Sequence, residues 1–130
     1  MNTEPSNVRP LDRAGNGGST GELAHAAAVL KAMAHPIRLV VICGLLRQPS
    51  TLTEISIALS IPSSTMAQHL NVLRHAGIIR GARLGREVRF SVVDDSARSI
   101  MSLLCRRFAG SPSWSDLASH CTPGDLHAEG

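Results

Sequence analysis

The sequence predicts a mainly α-helical domain with one small β-hairpin, in the order α-α-α-α-β-β-α. Apolar residues recur at helical intervals between residues 20 and 76, with a period of two between residues 79 and 92, and at helical intervals again from residue 97. A chain of 130 residues holds one such domain with flanking tails. We therefore expect a disordered arm over residues 1–18, a domain over residues 19–110 and a flexible tail over residues 111–130.

The first two helices are separated by a proline. Ser19 and Glu22 have the spacing of a capping box, and the apolar stripe that follows predicts a helix over residues 20–34. Pro36 ends this helix and starts another, because proline is tolerated in a first helical turn and disfavours helix in the residue before it. Residues 36–47 are apolar on nearly every side, which predicts a central buried helix.

The next two helices have the dimensions of a helix-turn-helix. Thr51 and Glu54 repeat the capping-box spacing at the start of a third helix of about two turns. A turn at residues 60–62 follows, and Ser63 opens a fourth helix that ends at Gly77. The inner face of this fourth helix is predicted to consist of Met66, Leu70 and Leu73.

A basic hairpin follows the fourth helix directly. Ile79 begins one strand, Leu84-Gly85 is predicted to make the turn, and apolar and polar residues alternate along the return strand up to Val92. Asp94 or Asp95 is then expected to cap a last helix.

Positive charge is concentrated in the second half of the chain. Residues 60–107 contain eight Arg and three acidic residues, a net charge of +5, whereas the rest of the chain has a net charge of −2. Twelve of the thirteen basic residues are Arg, whose planar guanidinium matches phosphates and guanine edges. A polyanionic partner is one interpretation of this distribution, and a solvated basic face is the other.

Composition argues against a secreted protein, a membrane protein or an enzyme. The chain has three cysteines without paired spacing and no N-terminal leader, so we expect a reducing, cytoplasmic location. No apolar run approaches the roughly 20 residues of a membrane span. There is no phosphate loop or dinucleotide fingerprint, and a Cys-His hydrolase would need an exposed cysteine, whereas Cys43 and Cys105 lie in apolar helical stripes.

The fourth helix has the composition of a helix that enters the major groove of DNA. Its outer faces carry short or planar hydrogen-bonding side chains, and a glutamine among them can read adenine through two hydrogen bonds. Arginines of the hairpin would reach the DNA backbone or the minor groove alongside. The candidate DNA-binding residues are Ser63, Ser64, Thr65, Gln68, His69, Arg83, Arg86 and Arg89.

Three segments together give the chain a resemblance to a known family. They read LKAMAHPIRLVVICGLL, then TEISIALSIPSSTMAQHLNVLRHAGII, then LGREVRFSV. In this order and spacing they resemble the ArsR/SmtB family of small winged helix-turn-helix repressors, over roughly residues 22–108. Two positions depart from the family pattern: Pro62 stands at the usual serine cap, which is expected to shift capping to Ser63, and Ala67 replaces a frequent serine.

The resemblance implies a repressor that works as a homodimer. Members of the family associate through their first and last helices, and the apolar stripes of residues 23–34 and 97–108 would supply such surfaces. Two recognition helices on a twofold axis imply double-stranded DNA with an inverted repeat, its half-sites about one helical turn apart. An inducer would release the repressor from this operator.

The inducer is left open by the residues at the family's sensing positions. The third-helix site needs Cys-x-Cys where this chain has Ser56-Ile57-Ala58. The last-helix zinc site is matched by Asp94 alone, since its other positions hold Ser96, Arg107 and Gly110. Cys43 stands where the sulfide- and redox-sensing branch carries a thiol, and Cys105, about one turn before that branch's second cysteine, is its candidate partner in a switch.

Several alternatives remain beside a thiol switch, and they include constitutive binding to DNA and an organic effector. No cofactor is required, but a metal or metalloid inducer could use Cys105, His120, Cys121 and His127. From another class of function, the domain could be a winged-helix module that mediates protein association. Salt-dependent, operator-selective binding to DNA would distinguish a repressor from such a module.

Overall fold

The computed structural model describes residues 18–109, and it describes side chains from Thr20 onwards. Within this range, five helices and three strands follow one another. They are α1 (Gly18–Met33), α2 (Pro36–Arg47), β1 (Ser50–Thr51), α3 (Leu52–Leu59), α4 (Ser63–His75), β2 (Ile79–Leu84), β3 (Glu87–Val92) and α5 (Asp95–Phe108). Residues 1–17 and 110–130, which include nearly all of the expected arm and the whole expected tail, lie outside the described residues.

The predicted mainly helical class with a hairpin between the last two helices is confirmed. The strand β1 was not predicted. It pairs antiparallel with β3, with Ser50 opposite Phe90 and Thr51 opposite Arg89, and it completes a three-stranded sheet of order β1-β3-β2. A segment of two polar residues carries no periodicity, so only its pairing with a strand far along the chain makes it β structure.

Most of the predicted helix boundaries are confirmed, but the predicted cap of α1 is wrong. Thr51 and Glu54 form the predicted capping box: the Glu54 amide donates to Thr51 Oγ1 over 3.2 Å, and the Thr51 amide donates to Glu54 Oε1 over 3.0 Å. Asp94 caps α5 by accepting the Ala97 amide hydrogen over 2.8 Å. Because α1 begins at Gly18, Ser19 lies inside the helix and not ahead of it.

Gly77 ends α4 as predicted, in a left-handed conformation with φ of +80°. The amides of Gly77 and Ile78 donate to the carbonyl oxygens of Arg74 and Leu73. These two bonds form a Schellman motif, which satisfies carbonyl groups at the end of the helix. The chain can therefore turn directly from α4 into β2.

The helices enclose one apolar core, and α2 runs through it with five buried residues. The predicted inner face of α4 is confirmed, since Met66, Leu70 and Leu73 are all buried. This packing fixes the rotation of α4 about its axis and decides which of its side chains face outward.

No single helix among the described residues is long and apolar enough to cross a membrane. By length and composition alone the pair Thr20–Met33 and Pro36–Arg47 would be, but the two helices are bent by 102° at the break between them.

Candidate nucleic-acid interface

The helices α3 and α4 form the predicted helix-turn-helix. Ser60 closes α3 in a left-handed conformation with φ of 55°, and the Ile61 amide then donates to the Ser56 carbonyl oxygen. Pro62 is the N-cap of α4 and makes no side-chain cap bond. The expected shift of capping to Ser63 is therefore wrong, because Ser63 is already the first residue of the helix.

The start of α4 presents a continuous polar surface. With the buried face turned inward, Ser63, Ser64, Thr65 and Gln68 are exposed, and His69 is half-buried. The first amide groups of a helix lack acceptors within the helix and lie at the positive end of its dipole. Hydroxyl and amide side chains therefore surround a helix start that attracts negatively charged groups.

His69 differs from its neighbours because its ring packs against another histidine. The imidazoles of His69 and His35 have centroids 4.7 Å apart and planes inclined by 51°. Burial lowers the pKa of His69 below its ordinary value of 6.5, and the nearby His35 ring and Arg38 guanidinium lower it further. The neutral imidazole is thus the favoured form, with one nitrogen as donor and the other as acceptor.

The hairpin turn differs by one residue from the prediction. The strand β2 continues through Leu84, which pairs with Glu87, so the turn consists of Gly85 and Arg86. Gly85 has φ of +65°, which glycine adopts without strain. Arg86 therefore lies at the tip of the hairpin, and Arg83 is exposed on the adjoining strand.

Arg89, the third hairpin arginine, lies in a different setting. Its side chain is half-buried; it donates to the Pro49 carbonyl oxygen over 3.2 Å and lies 3.5 Å from a carboxylate oxygen of Glu54. It thereby joins β3 to the start of α3. Alternation along the strand placed it on the polar face with Glu87, and the contact with Glu54 follows only from the register between β1 and β3.

The sensing candidates are only partly described. Cys43 on α2 is buried and Cys105 on α5 is half-buried, and both are thiols. Among residues 20–109, no group of three or more His, Cys, Asp or Glu side chains is placed to hold a metal ion. His120, Cys121 and His127 lie outside the described residues. Asp94, the one match to the last-helix zinc site, caps α5 and lies 3.3 Å from His25 Nε2.

Comparison with known sequences places the chain among transcriptional regulators. A family described as a helix-turn-helix domain matches residues 33–82. The HTH-type transcriptional repressor SmtB of Mycobacterium tuberculosis is 35% identical over 69 residues, which are 53% of this chain and 51% of SmtB. The HTH-type transcriptional regulator YgaV of Escherichia coli is 34% identical over 80 residues, covering 61% of this chain and 81% of YgaV. The match thus spans about half the length of SmtB and most of YgaV.

Solved structures agree with the sequence relatives. HlyU from Vibrio cholerae superposes with a TM-score of 0.64 at 30% identity, over 68% of this chain and 96% of HlyU. The transcriptional repressor PagR of Bacillus anthracis superposes with a TM-score of 0.62 at 32% identity, over 65% of this chain and 98% of PagR.

A helix-turn-helix followed by an arginine-bearing hairpin defines a winged helix-turn-helix transcriptional regulator. The chain belongs to the ArsR/SmtB family of these regulators. Because these relatives are regulators of transcription, the expectation that the chain is not an enzyme is confirmed.

Proposed function

We propose that the chain is a homodimeric, DNA-binding transcriptional repressor that reads an inverted-repeat operator with α4. The observation that carries this proposal is the exposed polar surface at the start of α4, held on a buried apolar face beside an arginine-tipped hairpin. In the major groove, Gln68 and His69 would meet base edges, while Ser63, Ser64 and Thr65 would meet phosphates near the helix start.

The hairpin supplies the second part of the proposed contact. Arg86 at its tip and Arg83 beside it are exposed cations that suit the DNA backbone or a narrow minor groove. Arg89 remains a predicted contact, and its bonds to Pro49 and Glu54 would also hold the hairpin at a fixed angle to the helix-turn-helix.

The dimer surface is proposed from exposed apolar side chains. Leu23 and Leu30 on α1 are 61% and 56% exposed, and Leu103 and Phe108 on α5 are 57% and 41% exposed. The helices α1 and α5 pack against each other in one protomer, so these residues belong to neighbouring elements. Exposed apolar side chains of this size favour burial against a second copy.

Binding to an operator selected from a random duplex pool tests the proposal. We expect the full chain to bind the selected duplex at least about 10³-fold more tightly than random duplex, with an affinity that falls steeply as salt rises. Equal affinity for both duplexes would reject the proposal that the chain is an operator-specific repressor. Binding to neither duplex would favour the winged-helix module for protein association.

For the release signal, we propose oxidation of Cys43 and Cys105. The helix α2, which carries Cys43, packs against α5, which carries Cys105, and both cysteines contact the same core. Arg106 and Arg107 make the last turn of α5, which carries Cys105, positively charged. A disulfide would form as the two thiols lose two protons and two electrons to an added oxidant.

A band shift on the selected operator tests this switch. We expect the oxidised chain to release DNA and its Cys43→Ser and Cys105→Ser variants to remain bound, whereas Cys121→Ser should respond like the parent chain. If all three variants respond like the parent, thiol sensing through this pair is wrong. Release by Zn²⁺ or arsenite that is lost in Cys121→Ser would instead favour the metal or metalloid inducer.

A further inference from the structure

A groove of about 530 Å³ lies between α1, α2 and the second half of α4. Its volume is within the range of roughly 300–1,000 Å³ that is usual for sites of small ligands. The three helices contribute small apolar side chains, the cations of Lys31 and Arg38, and the polar side chains of Asn71 and His75. The lining includes Ala28, Lys31, Ala32, Arg38, Val72 and His75.

The polar part of the groove is cationic. Lys31 is the only lysine of a chain with twelve arginines, and it lies in this groove together with Arg38. Arg38 Nε donates to the Ala32 carbonyl oxygen, which holds the guanidinium against the end of α1. No carboxylate is among the described residues that line the groove, so its two permanent cations are not neutralised there.

The rest of the groove is apolar. Ala28 and Ala32, one turn apart on α1, face Val72 on α4, whose side chain is exposed. Ala32 is already buried within the protein, so inorganic phosphate would satisfy the cations but would leave the exposed side chains of Ala28 and Val72 in water. The guanidinium of Arg38 matches a carboxylate with two parallel N–H groups. An apolar body attached to a carboxylate would satisfy both halves of the groove.

The groove stays open in the proposed dimer. At about 100° per residue, Leu23 and Leu30 lie on one flank of α1, and Ala28 and Ala32 lie on the other. The buried Val29 lies between the two flanks and faces the core. A second copy that covers the leucine flank would therefore leave the groove accessible.

We infer that this groove binds a small organic carboxylate with an apolar body, and that its occupancy weakens binding to DNA. The second half rests on the proposed function, since α4 forms one wall of the groove and also carries the proposed DNA contacts. A bound anion would reduce the positive potential that DNA phosphates meet at this helix.

Nuclear magnetic resonance of the full chain without DNA tests the site itself. Reductive methylation with ¹³C-formaldehyde labels Lys31 as the only lysine, and the amides of Ala28 and Ala32 report on unmodified protein. We expect saturable shifts of these signals with benzoate, and none in the same concentration range with acetate or with the neutral isostere benzamide. Equal shifts with acetate or benzamide, or no saturation with benzoate, would overturn the proposal.

Two variants separate the groove from general charge effects. Lys31→Gln should weaken benzoate binding about fivefold, the upper range for one partly exposed ion pair. Arg47→Gln removes the same charge at the other end of α2 and should leave benzoate binding unchanged. An equal loss in both variants would mean that benzoate follows the net charge and does not occupy the groove.

The coupling to DNA is measured on the selected operator. Saturating benzoate should weaken binding about fivefold or more, and Lys31→Gln should require about fivefold more benzoate for the same effect. Unchanged affinity for DNA, with the benzoate shifts present, would overturn the coupling. A loss of DNA affinity in Lys31→Gln without benzoate, as large as in Arg86→Ala, would instead identify the groove as a phosphate contact. Failure to bind any duplex would reject the proposed function. The resonance shifts with benzoate would still show whether the groove binds a carboxylate.

Discussion

The ring of His69 on α4 packs against the ring of His35 at the start of α2, with centroids 4.7 Å apart. His35 is itself fixed, because its Nδ1 accepts the Ile37 amide hydrogen over 3.1 Å as the N-cap of α2. His69, one of the proposed DNA contacts on α4, thus packs against the start of the helix that forms the centre of the core. This contact limits the rotamers of His69, which reduces the conformational entropy that binding would otherwise cost.

The stability of the protein should depend on pH through His69. Its pKa in the folded state lies below the ordinary value of 6.5, so above about pH 7.5 the residue is neutral in both states and makes no pH-dependent contribution. As the pH falls toward about 5, the unfolded chain takes up the proton more readily, and stability is lost. We therefore expect the urea midpoint of the parent chain to fall more steeply than that of His69→Gln between these pH values.

The double variant with His35→Asn isolates the contribution of the neighbouring ring. Asparagine is a good N-cap and keeps the start of α2, but it removes the imidazole. Changing His69 in this background should reduce the pH dependence by less than in the parent chain. If His69→Gln leaves the pH dependence of the urea midpoint unchanged, the contact between the two rings does not lower the pKa of His69.

Base contacts and phosphate contacts should separate in two variants. Gln68→Ala removes an exposed amide from the polar surface of α4. It should reduce the free energy of binding to the selected operator by about 1–3 kcal/mol per half-site, with little effect on binding to random duplex. Arg86→Ala should weaken binding on both duplexes and reduce the slope of log affinity against log salt by about one per bound protomer. Fluorescence anisotropy at several salt concentrations measures both effects.

Ser99→Ala on α5 is the control, because Ser99 is exposed and belongs to neither α4 nor the hairpin; since Ser99 lies beside Leu30, light scattering on this variant verifies that the dimer is intact. It should leave both affinities unchanged. If Gln68→Ala weakens operator and random duplex by the same factor, α4 does not read bases.

Association should depend on the leucine flank of α1. Leu30→Lys places a charge within the proposed dimer surface and is expected to yield a folded monomer, because the side chain is 56% exposed in one protomer. Light scattering measures the mass, and circular dichroism verifies the helical content. Ile57→Lys on α3, at a position that is 70% exposed, should leave the mass of the dimer unchanged. A dimer that survives Leu30→Lys would move the interface elsewhere.

Local signals in the sequence were sufficient for much of the fold and for the exposed surface of α4. The capping box of α3 depends on two residues three positions apart, and burial of Met66 and Leu70 fixes the rotation of α4 about its axis. The helical period then places Gln68 outward without any knowledge of other elements.

Relationships between distant elements could not be predicted in this way. The strand β1 and the ion pair between Arg89 and Glu54 depend on the register between β1 and β3. The packing of His69 on His35 depends on how α4 crosses the start of α2, which hydrophobic periodicity does not specify. For the same reason, the groove that contains Lys31 had no signature in the sequence.

The hairpin should depend on Gly81, which faces Phe90 across the ladder. A Cβ atom at this position would lie 2.6 Å from Val88 Cγ1 and 3.2 Å from Phe90 Cε1. Because the β-branched side chain of Val88 has little rotamer freedom, we expect Gly81→Ala to cost about 1–3 kcal/mol of unfolding free energy. Gly85→Ala meets open space, but its φ of +65° should cost about 1–2 kcal/mol through backbone strain.

A double-mutant cycle with Val88→Ala distinguishes the two glycines. Removing the valine methyl groups should recover part of the loss in Gly81→Ala, which would make the two changes non-additive by about 0.5 kcal/mol or more, whereas Gly85→Ala and Val88→Ala should add. Urea unfolding gives the free energies. Affinity for random duplex reports whether Arg86 is still presented, since both glycine variants disturb the hairpin that carries it. Strict additivity of Gly81→Ala with Val88→Ala would show that the close approach of the two strands is not what requires glycine.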